Sequence, residues 1–277
     1  MISRLIAFTL LASPVAASPT ILVLGAVPQE IAPVVEALND HFQESIEGIP
    51  CDTGSLGGYK VVVAVTGVGK TNSAMTTTAL VIAIRPAKAF MTGTAARIRK
   101  TIRTGDIIIA LTTSFHDAGS LTSSGMVQGK LADNGSLVAT TWFSPTRERT
   151  NPFVFPDSPE LVAYAATEAA HYTPESVTVD GKTYTPVIRI GAVTSGDLSG
   201  ITEAKLEDIR SKMNPDLMEM ESAAFAQVCE FYGVPHLVIR SGSNWAKERN
   251  NDDYLRLGPI AARQAALFTV ALVRDLP

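Results

Sequence analysis

Short apolar, β-branched runs alternate along the chain with longer segments whose apolar residues recur at helical spacing. Residues 20–25, 60–66, 89–92, 107–112, 187–193 and 236–240 read as strands. Residues 29–40 and 71–84 read as helices, the second stopped by Arg85-Pro86, and 259–276 as a closing amphipathic helix. A further apolar helical run follows the acidic pair Glu219 and Glu221. Strands separated by such long helical segments predict a parallel or mixed sheet covered on both faces. Residues 119–159 break the rhythm. They are rich in Ser, Thr, Gly and Pro, carry Trp142, Phe143, Phe153 and Phe155, and read as an insertion within a single domain covering 18–277.

The first residues have a different logic. Arg4 supplies a positive start, 5–11 an apolar stretch too short to span a bilayer, and Val15-Ala16-Ala17 a small-residue cleavage site. Residues 1–17 therefore read as a secretory signal, and the mature chain is expected in a periplasm without a membrane anchor. Of the 277 residues, 46% are hydrophobic and 18% charged, which excludes a disordered chain. A net charge of −4, with no basic block longer than 97–103, argues against nucleic acid or an anionic membrane as partner. Cys51, in a Gly-rich loop region, and Cys229, in the apolar helix, are not expected to pair, and two thiols without nearby His make no zinc site. No metal or organic cofactor is expected.

Candidate chemistry gathers at strand ends, where open α/β sheets place their ligands. Residues 64–71, AVTGVGKT, invite comparison with a phosphate-binding loop, but Ala64 replaces the first glycine that lets such a loop wrap phosphates. The dinucleotide fingerprint fails as well, with Asn72 at its third glycine. Gly67 and Gly69 are better read as a tight turn close to a ligand or a helix. Four other small polar turns follow apolar runs: Gly25 to Glu30, Thr92 to Ala95, Thr194 to Asp197 with Ser195 and Gly196 inside it, and Ser241 to Asn244. Each has a bland reading. Glu30 suits a helix N-terminus, and His116-Asp117 can lie on the surface. Together they predict a rim of hydroxyls, amides and carboxylates. Glu219 and Glu221, beside a buried helix, are costly to desolvate without a partner and belong to that rim.

In this order the turns resemble the nucleoside phosphorylase superfamily, and within it the methylthioadenosine/S-adenosylhomocysteine nucleosidase branch. The likeness runs through GAVPQE, VVAVTGVGKTNSA, MTGTAA, GDIIIA with FHDA, TSGD, MEMESAAFAQVC and VPHLVIRSGSN. It implies a three-layer αβα sandwich around a central mixed, mostly parallel twisted sheet, a homodimer, and a pocket that cleaves the bond between a purine and a ribosyl group. By resemblance, Glu30 activates the attacking water, Glu221 grips the ribose hydroxyls with Met220 against the sugar, and Ser243 and Asn244 lie beneath the purine. Ala26, Thr94, Ala95, Ser195, Gly196, Asp197 and Glu219 complete the expected substrate-binding set.

Three departures modify that expectation. Asn244 stands where the family has Asp, and an amide cannot pass a proton to the leaving purine; it suits a shift toward 6-oxopurines. Pro28-Gln29 and Met91 replace the arginines with which the hexameric phosphorylases grip phosphate, which favours hydrolysis over phosphorolysis. Leu198-Ser199 replaces an aromatic residue, so base stacking is expected from Phe115 or from an aromatic of 142–155. Alternatives that remain are a purine nucleoside phosphorylase, with Arg97, Arg99, Lys100 and Arg103 holding phosphate, and a nucleoside-binding or storage protein with impaired catalysis.

Overall fold

The computed structural model describes residues 18–123, 125–128, 130–133, 136–139, 153–246 and 251–277. The expected signal at 1–17, and Trp142 and Phe143, lie outside them. The chain runs β1 (Thr20–Gly25), α1 (Pro28–Glu36), β2 (Asn39–Ile46), β3 (Ile49–Leu56), β4 (Tyr59–Val65), α2 (Lys70–Ile84), β5 (Lys88–Arg97) and β6 (Ile107–Phe115). Short strands β7 (Gly119–Thr122), β8 (Gly125–Gln128), β9 (Lys130–Asp133), β10 (Ser136–Ala139) and β11 (Val154–Pro156) occupy the stretch read as an insertion. Then come α3 (Pro159–Ala169), β12 (Val177–Val179), β13 (Lys182–Tyr184), β14 (Ile188–Ser195), α4 (Glu203–Met213), β15 (Leu217–Glu219), α5 (Ser222–Tyr232), β16 (His236–Trp245) and α6 (Asn251–Arg274).

Ten strands form one mixed sheet in the order β11-β6-β14-β15-β5-β1-β4-β3-β2, with β16 pairing both β5 and β6. Parallel ladders join β4, β1, β5 and β16, and join β15, β14 and β6. Antiparallel pairs add the margins β2, β3 and β11, and also link β15 to β5 and β16 to β6. Those last two links curl this side of the sheet into a closed ring of β6, β14, β15, β5 and β16.

The sandwich follows from the two-residue period of the strands. Leu22 and Leu24 of β1, Val62 and Ala64 of β4, and Ala89 and Met91 of β5 point into one core with Leu80 of α2 and Phe225 of α5. Their neighbours Ile21, Val23, Val61, Val63 and Phe90 point into the other, against Ile31 of α1, Leu161 of α3 and Phe268 of α6. With both faces buried, these strands must be apolar at every position, which is why they stand out in the sequence. A third, smaller cluster (Ile98, Ile201, Leu206, Ile209, Met218 and Ala246) seats α4 at one end.

Several boundaries differ from the sequence reading. The first helix ends at Glu36, and the chain turns into the β2–β3 hairpin, whose outer face is polar and exposed. Helix α6 begins at Asn251 and keeps Pro259 inside it. The runs Thr92 to Ala95 and Ser241 to Asn244, read as turns, are parts of long strands, because β5 and β16 continue to pair there. Cys51 lies in β3, not in a loop, and both cysteines are buried and free.

Candidate active site

The parallel strands β1, β5 and β16 end together, and their C-terminal ends floor a cleft that opens to solvent. Glu30 enters from the first turn of α1. Its Oε2 accepts the Ala26 N–H at 2.7 Å, and its Oε1 accepts the Thr94 N–H and hydroxyl at 2.8 Å each. A carboxylate has about four lone-pair sites, so these three donors leave one site on Oε2 unused. Glu30 is 2% exposed and still lines the cleft. Glu30 lies in the first turn of α1, but its bonds run to Ala26, ahead of the helix, and to Thr94 of β5. Gly93 makes the approach possible: a Cβ there would lie 2.6 Å from Glu30 Cδ and 2.7 Å from its Oε1.

Glu219 and Glu221 arrive on β15 and at the start of α5, and they divide the work. Glu219 is consumed inside the protein. Its Oε2 accepts the N–H groups of Glu221 and Ser222 and the Ser222 hydroxyl, each at 2.9 Å, and its Oε1 accepts the Ser195 hydroxyl. Glu221 is freer, holding the Gly69 N–H on Oε1 at 2.8 Å. The Gly67–Gly69 turn thus presents an amide to a carboxylate where a phosphate loop would present one to phosphate.

Between these acids lies Arg240, fully buried near the middle of β16 and absent from the expected site. It donates to Glu219 Oε2 at 2.5 Å and to the Ser222 hydroxyl at 2.9 Å, and it stands 3.5 Å from Glu221 Oε2 and 3.9 Å from Glu30 Oε1. A buried arginine needs such partners. The signal for it was present, since an arginine closing an otherwise apolar buried strand implies carboxylates facing it. The cluster splits the two acids. Burial works to raise Glu219, but the Arg240 charge and the Ser195, Glu221 and Ser222 hydrogen bonds outweigh it and hold the carboxyl below its usual range. Burial and the Glu219 charge push Glu221 up to about 8, against the pull of Arg240 and the Gly69 amide.

The opposite corner is built by an irregularity. The β16–β5 register shifts between Gly242 and Trp245, and a bulge of this kind re-aims side chains. Ser243 and Asn244 line the cleft there with Ala95. Ser243 Oγ bonds the Ala95 carbonyl at 3.1 Å, and Asn244 Nδ2 donates to the Trp245 carbonyl at 3.1 Å. Ala26, Thr94, Glu219, Met220 and Glu221 complete the predicted residues that line the cleft, Glu219 with its oxygens turned to partners inside the protein.

Others do not face it. Ser195 lies under Glu219 and receives the Ala223 N–H at 2.8 Å; Gly196 packs on His116; Asp197 accepts the Lys70 N–H at the start of α2. The loop's contribution to the cleft is instead Leu198, Ser199 and Gly200. His116 is buried, not superficial, and its imidazole is held below its usual range by desolvation. Phe115 stacks edge-on against Phe155 at 5.5 Å away from the cleft. Among the described residues, the aromatic ring that lines it is Tyr254 of α6, its hydroxyl 3.2 Å from Gln29 Nε2. Sequence reasoning missed Tyr254 because Pro259 displaced the expected helix start.

The basic segment serves structure. Arg99 pairs with Asp216 at 3.0 Å, Arg103 with Asp106 at 3.2 Å, Arg97 reaches the Ile102 carbonyl at 3.4 Å, and Lys100 is exposed. Among the described residues no Lys or Arg lines the cleft, and no group of three or more His, Cys, Asp or Glu is arranged to hold a metal ion.

Comparison with known proteins agrees with this geometry. The 5′-methylthioadenosine/S-adenosylhomocysteine nucleosidase of Psychromonas ingrahamii is 28% identical over 256 residues, spanning 92% of this chain and 98% of that one. The native structure of futalosine hydrolase from Helicobacter pylori superposes with a TM-score of 0.76 at 26% identity, covering 94% of this chain and 99% of that one. An Asp-to-Asn variant of the H. pylori nucleosidase, solved with 5′-methylthioadenosine in its active site, superposes with a TM-score of 0.75 at 26% identity, over 93% and 99% of the two chains. The family model for the phosphorylase superfamily matches residues 20–274, and the chain belongs to that superfamily.

Proposed function

We propose that the chain is an exported purine ribonucleoside hydrolase, similar to the methylthioadenosine/S-adenosylhomocysteine nucleosidases. The observation that carries the reading is the meeting of Glu30, Glu221 and Asn244, from distant parts of the chain, around one cleft. Cleavage of a glycosidic bond passes through an oxocarbenium-like state, and nearby carboxylates stabilise the positive charge that develops on the sugar. Glu30, held by three donors with a lone pair to spare, receives the proton of the attacking water. Glu221 accepts the ribose hydroxyls with Met220 against the sugar, and Arg240 fixes the spacing of the acids. Ser243 and Asn244 take the purine edge.

The acceptor is water rather than phosphate. A phosphate dianion would enter a cleft lined by the acidic side chains of Glu30 and Glu219 and, among the described residues, by no lysine or arginine. Product analysis on a panel of 5′-methylthioadenosine, S-adenosylhomocysteine, futalosine, adenosine and inosine, with and without phosphate, tests this. Free base released without phosphate is the expected result; release only with phosphate moves the assignment to a phosphorylase. Because Asn244 carries no transferable proton, hypoxanthine nucleosides are expected to match or exceed their adenine counterparts, and a clear adenine preference counts against that shift.

A second reading rests on the same residue. With Asn244 in place of an acid, the cleft can bind nucleoside and turn it over poorly, as a binding or storage protein would. Calorimetric binding with no base released over hours favours it. Two further expectations concern context. Export is tested by the N-terminus of the mature protein, which should begin at about residue 18. Assembly as a homodimer is supported by the outer face of α2, where Met75 and Ile82 are 62% and 56% exposed, beside the exposed Phe231 and Tyr232 of the neighbouring α5.

A further inference from the structure

Three of the polar turns meet beside the cleft without lining it through their charged residues. Lys70 Nζ lies 2.7 Å from Asp117 Oδ1 and 3.8 Å from Asp197 Oδ2. The Lys70 N–H donates to Asp197 Oδ1 at 2.8 Å, and the Asp197 N–H donates to Asp117 Oδ2 at 2.9 Å. The ammonium also sits 5.5 Å from the centre of the Phe115 ring. Lys70 and Asp117 are 24% and 14% exposed, so water screens their pair less than a surface one. The Asp117 carboxyl is held below its usual range: burial opposes this, and the Lys70 and Asp197 hydrogen bonds prevail.

What flanks this cluster gives it meaning. Val68 and Gly69 precede Lys70; Val68 walls the cleft and Gly69 holds Glu221 Oε1. Leu198, Ser199 and Gly200 follow Asp197, are exposed to solvent, and form another wall. We propose that Lys70, Asp117 and Asp197 are positioning residues, a latch that ties the Leu198–Ser199–Gly200 strap to the turn carrying Val68 and Gly69 and so fixes the width of the nucleoside cleft. This rests on the hydrolase reading above. Glu30 stands on α1 and is held by Thr94 of β5, away from the latch, so the latch acts on substrate binding more than on bond cleavage.

The test uses Lys70→Met, the conservative Lys70→Arg, and Asp117→Asn as a second route should the first fail to fold. Loss of one charge-assisted contact predicts a KM raised by about tenfold in Lys70→Met and Asp117→Asn, with kcat within about threefold of the parent. Lys70→Arg restores KM, since a guanidinium can still reach both carboxylates. Hydrogen exchange on the ligand-free proteins gives a readout independent of activity. Amides of 196–200 exchange faster in Lys70→Met and regain protection in Lys70→Arg, while those of 260–272 in α6 keep the parental rate. Unchanged exchange at 196–200, or faster exchange spread through α6, overturns the latch. Should the parent release no base from any nucleoside, the functional reading falls, and the exchange pattern still decides the latch.

Discussion

Asn244 offers the purine edge one N–H and one carbonyl lone pair, but no acidic proton. Asn244→Asp is expected to raise kcat for adenine nucleosides by about 10²- to 10⁴-fold, the usual range for general-acid help; release of adenine followed by absorbance measures it. An unchanged rate would place the side chain away from the leaving group. Glu30→Gln is expected to lower kcat by a similar factor of about 10² to 10⁴ with little change in KM, because it removes the base and keeps the shape. Glu221 predicts a pH dependence of stability. Its folded-state carboxyl is raised from 4.5 to about 8, so the folded state binds the extra proton. Its contribution is full below 4.5 and is lost as the pH climbs toward 8. Asp157, buried and pushed well above its usual range by desolvation, acts with the same sign. The melting temperature of the ligand-free protein should fall between pH 5 and 8, and Glu221→Gln should flatten that fall.

At the scale of elements, the site depends on strands that run past their apolar stretches. β5 and β16 stay paired through Gly93, Thr94 and Ala95, and the bulge after Gly242 then delivers Ser243 and Asn244. The apolar period ends at Thr92 and Arg240, so sequence reading stops there and sees turns. Gly93 is the tightest point of this assembly. Gly93→Ala puts a methyl group against Arg240 and Glu30, and is expected to cost about 1–3 kcal/mol of stability, as overpacking does, with a marked loss of kcat. Denaturant unfolding and steady-state kinetics measure the two effects. Hairpins escaped notice for a different reason. β2–β3 and β12–β13 turn at Glu47-Gly48 and Asp180-Gly181, each with positive φ at both positions, the backbone that two-residue hairpins favour. Those dipeptides were readable, but the strands around them are too polar or too short for periodicity to mark.

For the whole molecule, the exposed apolar residues of α2 and α5 predict an assembly larger than one chain. Met75→Glu with Ile82→Glu is expected to shift the protein from dimer to monomer in analytical ultracentrifugation while circular dichroism stays parental. A parental protein that sediments as a monomer would remove the assignment of that face.

The sequence by itself determined the layered α/β architecture, since strands buried on both faces have to be apolar at every position and helices between them have to be amphipathic. It also set Glu30, Glu221 and Asn244 in polar turns or beside a buried helix, and the family resemblance gave them their expected roles. Only the tertiary structure decided how the acids share their burden. Glu219 and Glu221 are equivalent on paper, and they differ because Arg240 faces one squarely while the Gly69 amide reaches the other. It likewise sent Ser195, Gly196 and Asp197 behind the cleft wall and brought Tyr254 into it. Such roles depend on distances between residues far apart in the chain, and local periodicity carries no information about them.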